Sequence, residues 1–167
     1  MQQHSNTETD VYIGLGSNLN NPCRQIKTAF QALANLTQTR LLQQSSLYTS
    51  KPLGPQDQPD YINAVAKITT QLTPQTLLAS LQSIEKQQGR VRHNIHWGAR
   101  SLDLDILLYG HQTIHEKNLQ IPHSQMLKRA FVLYPLCEIA GNLSVKKGKS
   151  LYFYRQNLST DGLQKLD

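Results

Sequence analysis

The chain has 167 residues, enough for one domain of ordinary size to bury a core without disulfides or structural metals. Its two cysteines form no metal-binding or disulfide pattern, and no segment approaches the roughly 20 apolar residues of a membrane span. The net charge of +6 fits nucleic acid, an anionic surface or a polyphosphate as a partner. We therefore expect a cytoplasmic protein that is not bound to a membrane.

The amino-terminal part of the chain predicts a tail and then a strand, a turn and a helix. Residues 1–10 are polar and lack the apolar stretch of a signal peptide, so we expect a disordered tail before a single domain over residues 11–167. Residues 11–18 predict a strand that enters a turn with Gly14 and Gly16. Asn21 and Pro22 predict the N-cap and first residue of a helix. The glycines do not predict a dinucleotide fold, because the third glycine of that fingerprint is absent.

Two further strands, a long loop and a second helix follow. Residues 41–49 and 61–70 predict strands, and the eleven residues between them, 50–60, include three prolines. Because this segment far exceeds a tight hairpin turn, we interpret it as a shaped functional loop. Thr73 and Pro74 predict the start of the second helix, and Gly89 predicts its end.

Asp103 and Asp105 are the most informative residues, because they interrupt an apolar run that predicts a strand. Side chains alternate along a strand, so both acids would face one way with Cα atoms roughly 6–7 Å apart. The opposite face would point into a core: Leu102, Leu104, Ile106 and Leu108. Such a pair suits Mg²⁺ that shares its shell with substrate phosphates, although paired acids can also be simply solvated. The cation-rich run 89–100 just before them favours the metal and phosphate interpretation.

The order of predicted elements is strand, helix, strand, strand, helix, strand, and then a helix that begins near Lys128 or Arg129. This order predicts an α+β fold: a ferredoxin-like sandwich in which helices cover one face of an antiparallel sheet. No internal repeat or linker is visible in the sequence, so we interpret residues 143–167 as a C-terminal extension of the same domain.

Several motifs, in order, resemble the 6-hydroxymethyl-7,8-dihydropterin pyrophosphokinase family. They are GSN at 16–18, PLGPQDQPDY at 52–61, QQGRVR at 87–92, HWGARSLDLDIL at 96–107 and IPH at 121–123. The resemblance runs from about residue 11 to residue 139. It implies a Mg²⁺-dependent diphosphokinase of folate biosynthesis, which transfers pyrophosphate from ATP, its co-substrate, to a pterin alcohol and gives AMP and the pterin diphosphate.

The resemblance also assigns roles to individual residues. It implies that Asp103 and Asp105 hold two Mg²⁺ ions, and that this pair is catalytic together with Arg90 and Arg92. The implied ATP contacts are Gln82, Glu85, Arg92, Arg100, Ile106, His123 and Arg129. The implied pterin contacts are Ser50, Leu53, Tyr61, Asn63, Trp97 and Phe131. Without the resemblance, Tyr61 and Phe131 would be interpreted as core residues.

Two other interpretations stay open from the residues alone. A basic ferredoxin-like domain could bind RNA on its sheet, although no aromatic-rich strand of the RNA-recognition type is present. His93 with His96, or His111 with His115, could suggest zinc, but no third soft ligand has suitable spacing. We expect ATP and a hydroxymethyl-dihydropterin as partners, no nucleic acid, and a monomeric protein.

Overall fold

The computed structural model of the protein describes residues 7–90 and 98–166. Its strands are β1 (Thr9–Ser17), β2 (Thr39–Gln44), β3 (Tyr48–Ser50), β4 (Tyr61–Thr70), β5 (Asp103–Tyr109), β6 (Ile114–Glu116), β7 (Leu119–Ile121) and β8 (Gln164–Lys165). Its helices are α1 (Pro22–Ala34), α2 (Pro74–Gln87), α3 (Ala130–Ala140) and α4 (Leu151–Arg155), with a 3₁₀ turn at Lys146–Gly148. Among these described residues, no helix has the length and hydrophobicity needed to cross a bilayer.

The main sheet is antiparallel and has the order β5-β1-β4-β3-β8, with β2 also paired to β4. From β1 to β5 the chain follows the predicted ferredoxin-like order. The predicted strand at 41–49 is two strands, β2 and β3, and the break between them begins at Ser45. Its hydroxyl accepts a hydrogen bond from the Val65 N–H at 2.9 Å, in place of a backbone carbonyl of a regular ladder.

The first face of the sheet is covered by α1 and α2, which begin where the sequence predicts. The side chains of Asn21 and Thr73 cap these helices, and proline follows each cap. Gly89 follows α2 with a φ of 85°, a conformation that glycine adopts without strain. The apolar faces of both helices bury a core against the sheet that includes Val11, Ile13, Leu15, Ile26, Leu33, Ile68, Leu77, Leu81, Leu102, Leu104 and Ile106.

Helices also cover the second face, so the prediction that they cover one face is wrong. α3 and α4 pack there on a separate core that contains Tyr12, Val65 and Leu107. Leu108 was expected in the first core but lies in this second one. A β-bulge at this point of β5 changes the alternation, since Tyr12 pairs with Leu108 while Ile13 pairs with Ile106.

Within the described residues, regular structure extends into both of the predicted end segments. β1 begins at Thr9, which pairs with Thr70, so the predicted boundary at residue 11 falls two residues late. The rest of the predicted tail, apart from Thr7 and Glu8, lies outside the described residues. The C-terminal extension adds α4 to the second core and β8 to the edge of the main sheet.

Candidate active site

Most of the predicted site residues that the structure describes gather at one end of the sheet, on its second face. Gly16 of β1 pairs with Asp103 of β5 on one side and with Asn63 of β4 on the other. Because directly paired residues in antiparallel strands point the same way, the acid and the amide share a face, and the glycine between them has no side chain. α3 covers the rest of this face and leaves its end open.

The open end forms a cavity of about 280 Å³. Ten of the predicted site residues line it: Ser50, Leu53, Tyr61, Asn63, Arg100, Asp103, Asp105, His123, Arg129 and Phe131. The sequence had assigned no role to eight others: Gly14, Leu15, Gly16, Lys51, Gly54, Ala64, Leu107 and Val132. Of these, Gly14 and Gly16 could have been found from their position at the end of the first strand, where Gly16 begins the GSN motif, because a floor without side chains leaves room for a ligand.

Arginines surround the first carboxylate, Asp103. Arg90 donates to its Oδ1 at 2.8 Å, and Arg100 donates to its Oδ2 at 2.9 Å. Arg90 also forms an ion pair with Glu85, a carboxylate on α2 that is 4% exposed. Two guanidinium groups therefore stand beside the acid pair, where they can hold phosphate oxygens. Although they lie before and after the segment 91–97, the fold brings them together.

The second carboxylate, Asp105, has a different environment. Burial among protein atoms, with the negative charge of Asp103 nearby, raises its pKa to about 7. A divalent cation would stabilise its ionised form, and oxygen donors from two carboxylates suit Mg²⁺, which takes its other ligands from phosphates and water. In the described ranges no three His, Cys, Asp or Glu side chains converge as an all-protein metal site would require. The donor set therefore fits magnesium shared with a phosphate ligand.

His123 faces the same carboxylate, with Nε2 4.0 Å from Oδ2 of Asp105. Burial and the neighbouring Arg129 charge lower its pKa, so the ring is neutral near pH 7. Its Nδ1 accepts a hydrogen bond from the Gln125 N–H at 3.1 Å, which places the ring proton on Nε2. The ring thus presents a donor to the cavity.

The other end of the cavity is suited to a flat polar ring. Asn63 is 4% exposed and donates from Nδ2 to the Ser50 hydroxyl at 2.8 Å, which fixes its amide. Tyr61 lines the same space, and its hydroxyl donates to the Gly98 carbonyl at 2.9 Å. Phe131 at the start of α3 adds a second aromatic ring, with the Arg129 guanidinium 5.9 Å from its centre. Aromatic faces with a fixed amide can bind and orient a heterocycle.

Two predicted residues lie elsewhere, and two others fall outside the part of the chain that the structure describes. Gln82 is exposed on α2, away from the cavity lining, and the Ile106 side chain is buried in the first core. Ile106 follows Asp105 in the strand, so its side chain points to the opposite face. Arg92 and Trp97 lie outside the described residues.

Known proteins are similar to this chain in sequence and in fold. A sequence model of the family 7,8-dihydro-6-hydroxymethylpterin-pyrophosphokinase (HPPK) matches residues 12–141. A 2-amino-4-hydroxy-6-hydroxymethyldihydropteridine pyrophosphokinase from Haemophilus influenzae is 58% identical over 133 residues, which cover 80% of this chain and 82% of that protein. The enzyme of the same name from Pseudomonas aeruginosa is 47% identical over 156 residues, which cover 93% and 96%.

Solved structures support the fold. A Plasmodium falciparum HPPK-DHPS chain, crystallised with pteroate, superposes with a TM-score of 0.76 at 12% identity. The match covers 98% of this chain and 47% of the Plasmodium chain, so our chain spans about half of that longer protein. With the family match over residues 12–141 and the relatives' identities, the conclusion is plain: this chain belongs to the 7,8-dihydro-6-hydroxymethylpterin-pyrophosphokinase family.

Proposed function

We propose that this protein transfers pyrophosphate from ATP to the hydroxymethyl group of 6-hydroxymethyl-7,8-dihydropterin, giving AMP and the pterin diphosphate in folate biosynthesis. The observation that carries the proposal is the shared face of Asp103 and Asn63 on either side of Gly16. One cavity then has a phosphate end and a ring end. The names of the relatives, which describe a pyrophosphokinase of this pterin, agree with both ends.

The ring end selects and orients the acceptor. Asn63 would read the pteridine edge, because an amide offers both a donor and an acceptor. Tyr61 and Phe131 would stack on the two faces of the ring, and Leu53 would cover it from the loop. This orientation directs the hydroxymethyl arm past Gly16, towards the acids. Fixing the acceptor there supplies a large part of the rate, since an oriented attack replaces an encounter from solution.

The phosphate end would hold ATP through Arg90, Arg100 and Arg129. Arg92, which the family resemblance assigns to the same task, would add a further positive charge. The hydroxymethyl oxygen attacks the β-phosphorus, the bond to the oxygen of the α-phosphate breaks, and AMP leaves while the hydroxyl proton passes to water. Guanidinium groups stabilise the charge that spreads over the transferring group. We further propose that Asp103 and Asp105 hold two Mg²⁺ ions, which when bound would neutralise phosphate charge and stabilise the entering and leaving oxygens.

The product nucleotide tests this proposal. Purified protein is incubated with ATP and 6-hydroxymethyl-7,8-dihydropterin, with magnesium or with excess chelator, and nucleotides are separated by chromatography. We expect AMP and pterin diphosphate in equal amounts with magnesium, and neither product with chelator. The matched control omits the pterin and should give no AMP. ADP as the product would mean attack at the γ-phosphorus and would contradict the proposal.

A further inference from the structure

Asn18 occupies an unusual position just after β1. Its side chain does not line the cavity, yet the residue is 1% exposed and connects two segments that do. One segment is the loop of residues 51–60, which we name the proline loop, between β3 and β4. The other is the backbone of Arg100, whose guanidinium group holds Asp103.

The oxygen and the nitrogen of the Asn18 amide form hydrogen bonds to different segments. Oδ1 accepts a hydrogen bond from the Arg100 N–H at 2.8 Å, and the Asn18 N–H donates to the Arg100 carbonyl at 3.0 Å. Nδ2 donates to Oε1 of Gln58 at 3.0 Å and to the carbonyl of Pro59 at 3.0 Å. The side chain therefore uses its acceptor on the arginine side and both of its donor hydrogens on the proline loop.

Both contacts lie close to the proposed ligand sites. Pro59 precedes Tyr61 by two residues, and the same loop begins directly after Ser50, the hydrogen-bond partner of Asn63. A shift of the proline loop would move Leu53 and Tyr61, which line the ring end. On the other side, a shift of the Arg100 backbone would move a guanidinium group at the phosphate end.

We propose that Asn18 is a positioning residue that sets the pterin end of the cavity against the phosphate end. The inference rests on the proposed function and deepens it. Asn18 would touch neither substrate and would act only by holding the residues that do. An asparagine is required here for a chemical reason: no other side chain of this size presents an acceptor on one side and two donors on the other. Aspartate has the same shape but would place a second acceptor against two acceptors of the proline loop.

The isosteric variant Asn18→Asp separates the two ends. It keeps the acceptor for Arg100 and loses both donors to the proline loop, so the Pro59 carbonyl is left without its partner. We expect the KM for the pterin to rise about tenfold or more, as losing buried hydrogen bonds predicts. The Kd of a nonhydrolysable ATP analogue, measured by calorimetry with magnesium, should change less than about threefold, because the arginine side is intact.

Ser17→Ala is the matched control in the same turn. Ser17 is fully buried, and its hydroxyl donates to the Ser101 carbonyl at 2.6 Å, so it supports the arginine side and not the proline loop. This variant should weaken analogue binding or lower kcat while the pterin KM stays near the wild-type value. If Asn18 has only a structural role, both variants should instead have a lower melting temperature and an unchanged ratio of pterin KM to analogue Kd.

Gln58→Met removes a partner of Asn18 from the loop side without altering β1. It should raise the pterin KM in the same direction, and in combination with Asn18→Asp the two effects should be less than additive. A folded Asn18→Asp protein with a wild-type pterin KM would overturn the inference. If Asn18→Asp does not fold, a wild-type pterin KM in Gln58→Met would overturn it. If the wild-type protein does not form AMP, that result would instead contradict the proposed function.

Discussion

Asp103 and Asp105 are two residues apart on one strand face, yet their surroundings differ. Asp103 receives hydrogen bonds from two guanidinium groups, whereas the neutral ring of His123 lies 4.0 Å from the Asp105 carboxylate. Burial, with Asp103 close by, raises the Asp105 pKa to about 7. In the protein without ligands, the ionised form of Asp105 is therefore disfavoured, and a metal ion with its phosphate would compensate for that.

This environment predicts opposite effects of Asp105→Asn on stability and activity. Since the folded pKa is raised, ionisation of Asp105 opposes folding; the effect is absent below about pH 4, grows as the pH rises towards 7 and is constant above it. Asp105→Asn should therefore raise the melting temperature of the ligand-free protein at pH 8 and have little effect at pH 4. Its kcat should fall at least about 10²-fold, by analogy with loss of one electrostatic stabiliser. Asp103→Asn should lose activity similarly.

Melting curves at the two pH values and AMP assays at saturating magnesium check this prediction. The matched control is Asp10→Asn, an exposed strand acid paired with Lys67 at the far end of β1. It should keep wild-type kcat. Near-normal turnover in a folded Asp103 or Asp105 variant would refute the metal assignment.

At the level of elements, the sequence predicted features that depend on neighbouring residues. It did not predict features that depend on contacts between distant parts of the chain. Caps at Asn21 and Thr73 fix helix starts through neighbouring backbone groups, so the sequence shows them directly. The bulge in β5 depends on pairing with β1, and the placement of α3 depends on which face remains uncovered. For the site, the acid pair follows from strand alternation, whereas the junction at Asn18 depends on contacts 40 and 82 residues apart in sequence.

Glu138 on α3 connects that helix to the region around β3. Its carboxylate accepts from the Tyr48 hydroxyl at 2.7 Å and from the Ser46 N–H and hydroxyl at 2.8 and 2.7 Å. Lys165 of β8 lies 3.8 Å from the same carboxylate. Burial alone would raise the Glu138 pKa, but these donors hold it below its ordinary value.

We expect Glu138→Gln to destabilise the protein at neutral pH. Because the folded pKa is lowered, the stabilisation is present above the ordinary pKa of about 4.3 and is lost as the pH falls through the folded value. A partly exposed set of hydrogen bonds to a carboxylate is worth about 1 kcal/mol, or roughly 2–4 °C in melting temperature. The difference should become smaller as the pH is lowered below the ordinary pKa. Glu116→Gln, whose exposed carboxylate accepts from Gln75, is the control and should melt like wild type.

The whole chain is basic, and the part that the structure describes shows few large apolar side chains at its surface. In residues 7–90 and 98–166 the exposed large hydrophobic residues are Leu42, Leu53, Tyr152 and Phe153. Leu53 borders the cavity, and cations lie over the rings of α4, with Lys149 Nζ 3.8 Å from the centre of Phe153 and Arg155 5.1 Å from that of Tyr152. Among the described residues, these scattered apolar side chains do not form the continuous patch of a stable dimer interface.

We therefore predict a monomer at micromolar concentration. Sedimentation equilibrium should return a mass near 18.9 kDa that does not change with protein concentration. Added magnesium and ATP analogue should leave this mass unchanged apart from the bound ligand. A mass near twice the chain value, stable on dilution, would contradict the prediction.

The line of paired residues from Asp103 through Gly16 to Asn63 has a geometric consequence. Neighbouring strands lie about 4.8 Å apart, so β5 and β4 are separated by about 10 Å, a distance set by backbone hydrogen bonds alone. Substitutions can alter the groups at either end, but no side chain can change the gap. Under the proposed function, the sheet therefore holds the ring-binding amide and the acid pair at a fixed separation. A pterin with a longer or shorter arm could satisfy the amide or the phosphates, and only one arm length satisfies both.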